Sequence, residues 1–321
     1  MESFAGKRAV VTGGGSGMGR ELVVQLATAG CSVATCDVNA VGLAETVARA
    51  EAAAGSGARI TTHICDVSDE AQVLRFREEV VREHGDVIEL LFNNAGIGGG
   101  GSLFTDTRED WERTFGVDWW GVYYCTRAFL SHLVAADEAR LVNTSSVNGF
   151  WASLGPGVPH TAYSTAKFAV KGFSEALIED LRVNAPHVKV SVVMPGHIGT
   201  DIVANSRRYF GRPEPDALTD AELETTRADL ARRGLPVGEL PPDQIRGIVK
   251  MVEEGFRTSA PLDGAGAATI ILDGVRAGKW RILVGDDAHR LDEQVRSAPE
   301  AAYDHMGVGI SPLLAGAQGG E

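Results

Sequence analysis

An α/β fold, a doubly wound parallel sheet in a single domain, is what three features of this 321-residue sequence predict. From Arg8 to Pro195, short β-branched runs alternate with longer segments of helical periodicity, the pattern of strands joined by crossover helices. A glycine-rich segment, Thr12-Gly-Gly-Gly-Ser-Gly-Met-Gly19, stands directly between the first strand-like run and the first helical one. An acidic residue, Asp37, follows the second run. With 44% hydrophobic and 23% charged residues the chain can bury a large core, and α/β units of roughly 250 residues or more are ordinary single domains.

Each element follows in order. Arg8–Thr12 reads as a strand and Gly17–Ala29 as a helix, with Leu22, Leu26 and Ala29 at helical spacing. Ser32–Cys36 is the second strand, Ala40–Ala54 the second helix and Arg59–Cys65 the third strand. Ser68 is placed as the N-cap of a helix running to His84, with Val73, Phe76 and Val80 on one stripe. Val87–Phe92 is the fourth strand, Arg108–Ala135 a long apolar and aromatic helix, and Arg140–Thr144 the fifth strand. Thr161–Asn184 is a helix, and Val188–Met194 a strand that Pro195-Gly196 ends.

Residues 200–262 then change character, with Pro213, Pro215, Pro236, Pro241, Pro242 and Pro261 among charged, short helical stretches. The stretch is long for a simple connection and is predicted to be a substrate lid inserted in the domain. Ala265–Ala277 reads as a helix and Arg281–Val284 as the last strand. The domain is expected to span 1–300, and the Gly/Ala-rich 301–321 to be a flexible tail.

A formal charge of −13 argues against nucleic acid or an anionic membrane surface as a partner. No apolar run approaches the ~20 residues that span a bilayer, and the N-terminal apolar run is too short for a signal-peptide core. Cys31, Cys36, Cys65 and Cys125 lack Cys-x-x-Cys spacing and read as reduced, buried thiols. A cytoplasmic protein is expected. His160 and His197 flank the presumed pocket without metal-ligand spacing, so no metal is expected.

The glycine-rich segment carries chemistry because glycine lets the backbone approach an anion closely, while a helix N-terminus offers free N–H groups and a favourable dipole. It fits T-G-x-x-x-G-x-G through Gly13, Gly17 and Gly19, not G-x-G-x-x-G. Asp37 is placed to accept from both hydroxyls of an adenosine ribose and to repel a 2′-phosphate, although an acid there could also be only a helix N-cap. The glycine segment holds no Arg, and Val38-Asn39 follow the acid, so NAD is favoured over NADP in a Rossmann-like fold.

Tyr163 and Lys167 share a helix face at i and i+4. A neighbouring positive charge favours a phenolate over the usual pKa of about 10, which suits general acid–base work near neutral pH. Ser145-Ser146 precedes them at the end of the fifth strand, offering a hydroxyl donor for a developing oxyanion.

Taken together, Thr12-Gly-x-x-x-Gly-x-Gly19, Asp66-Val67, Asn93-Asn-Ala-Gly96, Ser146, Tyr163-x-x-x-Lys167 and Pro195-Gly-x-Ile-x-Thr200 resemble the short-chain dehydrogenase/reductase family, in its shorter single-domain branch. The resemblance covers roughly residues 5–200 and again 265–285. It implies an oxidoreductase in which Tyr163 exchanges a proton with the substrate oxygen, Lys167 binds the nicotinamide ribose and lowers the tyrosine pKa, and Ser146, ahead of Ser145, holds the substrate oxygen. It further implies cofactor contacts from Gly13, Ser16, Gly17, Met18 and Gly19, from Asp66 and Val67 to the adenine, from Asn94 near a ribose, and from Ile198 and Thr200 to the carboxamide.

One departure stands out: where the family has an asparagine that starts a water relay to the lysine, this chain has Asp118. Aspartate lacks amide donors unless protonated, so either it is neutral and mimics the amide, or the relay uses the backbone carbonyl; a catalytic place is kept for it. Trp119 and Trp120 read as helix packing. Phe150, Trp151, Leu154, Ile202, Tyr209 and Phe210 are expected to line an apolar cleft for a hydrophobic secondary alcohol or ketone. Relatives imply a homodimer or homotetramer, with Ala162, Ala166 and Ala169 allowing close approach. The competing readings are a non-catalytic dinucleotide-binding sensor or scaffold, and an NADP-dependent ketoacyl-thioester reductase.

Overall fold

Alternation along the strands decides how two layers of helix are laid on one sheet, since successive strand side chains point to opposite faces. Val10 packs with Ala34, Cys36, Leu91 and Leu141 on one face, while Ala9 and Val11 pack with Val33, Leu90 and Phe92 on the other. The computed structural model describes residues 1–54, 57–99, 101–155, 158–232 and 236–304. Its strands β1 (Arg8–Thr12), β2 (Ser32–Asp37), β3 (Ile60–Ile64), β4 (Leu90–Asn93), β5 (Ala139–Thr144), β6 (Val188–Pro195) and β9 (Arg281–Val284) form a parallel sheet in the order β3-β2-β1-β4-β5-β6-β9.

Helices α1 (Gly17–Thr28), α2 (Ala40–Ala53) and α10 (Gly264–Arg276) cover one face through residues such as Leu22, Leu26, Ala50 and Ile271. Helices α3 (Glu70–His84), α5 (Gly121–Val134) and α6 (Thr161–Asn184) cover the other through Phe76, Phe129 and Leu181. The strand order reverses between β1 and β4, and at such a switch point the loops leaving the carboxyl ends part to form a ligand crevice.

Several expectations are corrected. The N-cap of α3 is Asp69, which accepts from the N–H groups of Ala71 and Gln72; Ser68 instead turns back and donates to Asp66 Oδ1 at 2.7 Å. The long helix at 108–135 is α4 (Arg108–Phe115) and α5 joined by a π-helical turn, Gly116–Trp120. One extra residue in that turn shifts the helix face, so Asp118 is wholly buried while Trp120 lies open. Trp119 packs edge-on against Phe173 at 5.4 Å. Ala162 and Ala166 are fully buried within the chain and offer no outer surface; Trp120 and Phe168 are the exposed large side chains of that region.

Within 200–262 lie α7 (Ile202–Tyr209), α8 (Asp220–Arg232) and α9 (Pro242–Thr258). Leu223, Leu230, Val237 and Ile245 give this stretch a small core of its own. Its two ends are clipped together by β7 (Ile198–Gly199) and β8 (Leu262–Asp263), paired as a separate two-stranded sheet.

The carboxyl end also differs from expectation. A further helix, α11 (Asp286–Ser297), follows β9, and Pro299–Ala301 makes one 3₁₀ turn. Ala302 is buried with Trp151, Val147, Ala288 and Leu291, and the Trp151 indole N–H donates to the Ala302 carbonyl at 3.0 Å. Ala302 is therefore packed while its neighbours at 301, 303 and 304 are exposed, and the rest of the expected tail lies outside the described residues. Trp151 thus faces α11 and not the cleft, and Phe150 stacks under the Arg281 guanidinium. Trp151→Ala should lower unfolding free energy by about 3–5 kcal/mol through the cavity it leaves, read from urea unfolding midpoints.

Candidate active site

The first half of the site grows from close backbone contacts. Gly13 holds a left-handed φ of 73°, and a Cβ there would lie 2.7 Å from the Ala95 Cα. The Gly19 Cα sits against the Gly13 carbonyl and the Asn94 amide, leaving no room for a side chain. Thr12 knits this loop to the one after β4: its Oγ1 accepts from the N–H groups of Asn94 and Ala95, both at 3.0 Å, and its carbonyl accepts from Asn94 Nδ2 at 3.1 Å. Arg20 and Thr46 brace the loop from behind, through the Gly15 and Gly14 carbonyls.

A dinucleotide suits this cradle on three observations. Ser16, the N-cap of α1, makes no side-chain capping bond and no acid stands in the first turn, so the helix end keeps its affinity for an anion. Asn94 Oδ1 is a buried acceptor with no partner, beside the same loop. The Asp37 carboxylate stands at the tip of β2, held by the N–H groups of Gly15 and Asn39 at 2.9 Å each. The nearby cation Arg20 is paired with Glu45 at 2.9 Å and bonded to the Gly15 carbonyl.

The second half is assembled by α6 against β5 and the π turn. Lys167 Nζ lies 3.0 Å from Asp118 Oδ1, 3.3 Å from the Thr144 carbonyl and 5.4 Å from the centre of the Tyr163 ring. Asp118 Oδ1 also accepts from the Ile97 N–H at 3.2 Å, while its Oδ2 is buried without a partner. Asp118 therefore meets the lysine head directly by its carboxyl group. Ser145 Oγ donates to the Lys167 carbonyl at 2.7 Å and is tied to α6. Ser146 Oγ accepts from the Asn148 N–H at 3.1 Å, and its hydroxyl acts on the Tyr163 phenol. His160 lies against Tyr163 with ring centres 4.6 Å apart.

Burial pushes the Tyr163 phenol above the usual tyrosine range; Lys167 pulls it down, the Asp118 charge pushes it up again, and the Ser146 bond pulls it down. The expected lowering by Lys167 is present but outweighed by burial, with the Asp118 charge adding to the upward push. Burial also raises Asp118 against the opposing pull of Lys167. Burial would lower Lys167, yet Asp118 and Tyr163 carry it upward on balance.

The other predicted residues divide. Asp66 Oδ1 accepts from the Ser68 N–H and hydroxyl, and Tyr209 OH donates to its Oδ2 at 3.2 Å. Val67 turns into α5 against Gly121, the Ile198 side chain joins the core, and the half-buried Met18 side chain packs against it. Thr200 lies beside Gly17. His197 is buried, its Nε2 bonded to the Phe256 carbonyl and its N–H to Asp287 Oδ2 at 2.7 Å. Asp287 and Asn205 escaped sequence reasoning: each comes from a distant element, and no local motif marks them. Among the described residues no cluster of His, Cys, Asp and Glu could hold a metal, and no helix is long and apolar enough to cross a membrane.

A parallel sheet with a glycine cradle at its switch point and a Ser–Tyr–Lys cluster beside it defines an oxidoreductase that binds a nicotinamide dinucleotide. The profile described as short chain dehydrogenase matches residues 7–209, and the chain belongs to that family. A putative oxidoreductase, SadH, of Mycobacterium tuberculosis is 35% identical over 98% of this chain and 99% of its own length. Human epidermal retinol dehydrogenase 2 is 34% identical over 62% of each chain. A short-chain dehydrogenase/reductase from Burkholderia phymatum, solved in complex with NAD, superimposes with a TM-score of 0.73 at 30% identity, over 94% of this chain and 95% of that one.

Gly13→Ala should weaken binding of the reduced nicotinamide dinucleotide by about tenfold or more, because a strained left-handed residue costs roughly 1–3 kcal/mol and its methyl would press on Ala95. Titration calorimetry, with circular dichroism as the check on folding, reads this out.

Proposed function

We propose that the protein transfers a hydride between NAD(H) and a hydrophobic alcohol or its carbonyl counterpart, a secondary alcohol and ketone foremost, with Tyr163 moving the proton. The carrying observation is the Lys167 head, buried 5.4 Å from the centre of the Tyr163 ring one helical turn away, with Ser146 at the end of β5 acting on the same phenol. The nicotinamide ring, when bound, accepts or returns the hydride. In the oxidative direction the ionised Tyr163 oxygen takes the alcohol proton, the C–H electron pair departs as hydride, and the carbon–oxygen bond becomes a carbonyl. Ser146 donates toward the substrate oxygen as charge gathers there. Lys167 would hold the nicotinamide ribose. Asp118 positions it.

Gly13 to Gly19 would hold the pyrophosphate, Asp66 the adenine and Asn94 a ribose, while Ile198 and Thr200 would meet the carboxamide. Asp37 supports NAD over NADP, since a 2′-phosphate would face its carboxylate while Arg20 stays paired with Glu45. The retinol dehydrogenase among the relatives supports an apolar alcohol. Exposed Trp120 and Phe168 mark the face through which a homodimer or homotetramer would form, and residues 200–262 would act as the lid.

Tyr163→Phe should lower kcat by about a hundredfold or more while leaving NADH affinity intact; equal turnover in a coupled assay with apolar alcohols would end this reading. Asp118→Asn should move the acidic limb of the oxidation pH profile to lower pH. Oxidation needs the ionised phenol, and the variant removes a charge that holds Tyr163 up. An unmoved limb would leave Asp118 with a packing role.

A further inference from the structure

We propose that α7 is a gate across the dinucleotide cleft, latched by Tyr209, whose hydroxyl occupies the acceptor oxygen of Asp66 that an adenine amine would otherwise engage. The inference rests on the reading that this cleft binds a nicotinamide dinucleotide.

Three side chains of α7 reach three different loops at the carboxyl edge of the sheet. Asn205 Nδ2 donates to Ser16 Oγ after β1 at 3.0 Å. The Gly98 N–H after β4 donates to Ser206 Oγ at 2.7 Å. Tyr209 OH donates to Asp66 Oδ2 after β3 at 3.2 Å and lies 3.3 Å from Ser68 Oγ. Asn205 to Tyr209 rise about 6 Å, β3 to β4 is three strand spacings, about 14 Å, and the three side chains span the difference. The helix therefore bridges the sheet edge over which adenosine and pyrophosphate would lie. Asp66 Oδ1 already accepts twice from Ser68, so Oδ2 is the oxygen left for a ligand, and Tyr209 holds it.

The gate has a body. Arg207 ties α7 to Glu253 on α9 and to Glu214, so α7 travels with the small core of α8 and α9. That body joins the sheet layer at the paired β7 and β8, where its two ends meet. Entry of the dinucleotide breaks the three latches; exit restores them.

Stopped-flow fluorescence of NADH binding to the full chain tests this. For the wild type, the observed rate should rise to a plateau with NADH concentration, set by opening of α7. Tyr209→Phe should raise that plateau and tighten Kd by about tenfold or more, the worth of one hydrogen bond to a charged group. Asn205→Ala, which breaks a different latch, should act in the same direction, and thermal unfolding confirms that each variant folds. A rate linear in NADH, with Tyr209→Phe binding no tighter, would overturn the gate. No NADH binding by any of the three proteins would overturn the dinucleotide reading and the gate with it.

Discussion

A buried ion pair, Lys167 with Asp118 at 3.0 Å, holds together the parts of this site. Two charges leave water to form it, and the desolvation cost is offset only when geometry and further hydrogen bonds are good. The Thr144 carbonyl and the Ile97 N–H supply those bonds. Four elements meet at this contact: α6, the π turn, the end of β5 and the loop after β4. Removing one partner from such a pair typically costs about 3–5 kcal/mol, because the other charge stays buried alone. The π turn makes the pair possible, since an unbroken helix from 108 to 135 would carry residue 118 on a different face.

The pair also sets the electrostatics of the tyrosine. A lysine acting alone would favour the phenolate; a lysine shared with a carboxylate does so weakly, and burial wins. Asp118 Oδ2 has no protein partner in its buried place. The site therefore sets opposing contributions against one another, and a single charge can tip their balance.

Rigid and adjustable parts are segregated. The sheet and the loops leaving β1, β4 and β5 are locked by the Thr12 bonds and by a buried polar strut in which Asn93 donates to Asn143 and Asn143 to Ser174. The excursion from α7 to α9 packs on its own small core and joins the sheet layer through the β7–β8 clip. Such a division lets binding surfaces be fixed on one side and covered from the other.

Local regularities in the sequence determined the succession of strands and helices along the chain. The strands at 8–12 and 281–284 and the helix at 161–184 begin and end where read, because Gly, Pro and polar caps punctuate strong periodicity. The glycine cradle, Asp37, Ser146, Tyr163 and Lys167 were legible because spacing within one turn or one loop is a local property. Tertiary structure alone decided what each apolar or polar face would meet. Trp151 binds α11 and Ala302, Ala162 and Ala166 point inward, Tyr209 finds Asp66, and Asp118 finds Lys167. Periodicity says that a face is apolar or charged; the partner comes from a segment tens or hundreds of residues away, and only packing in three dimensions selects it.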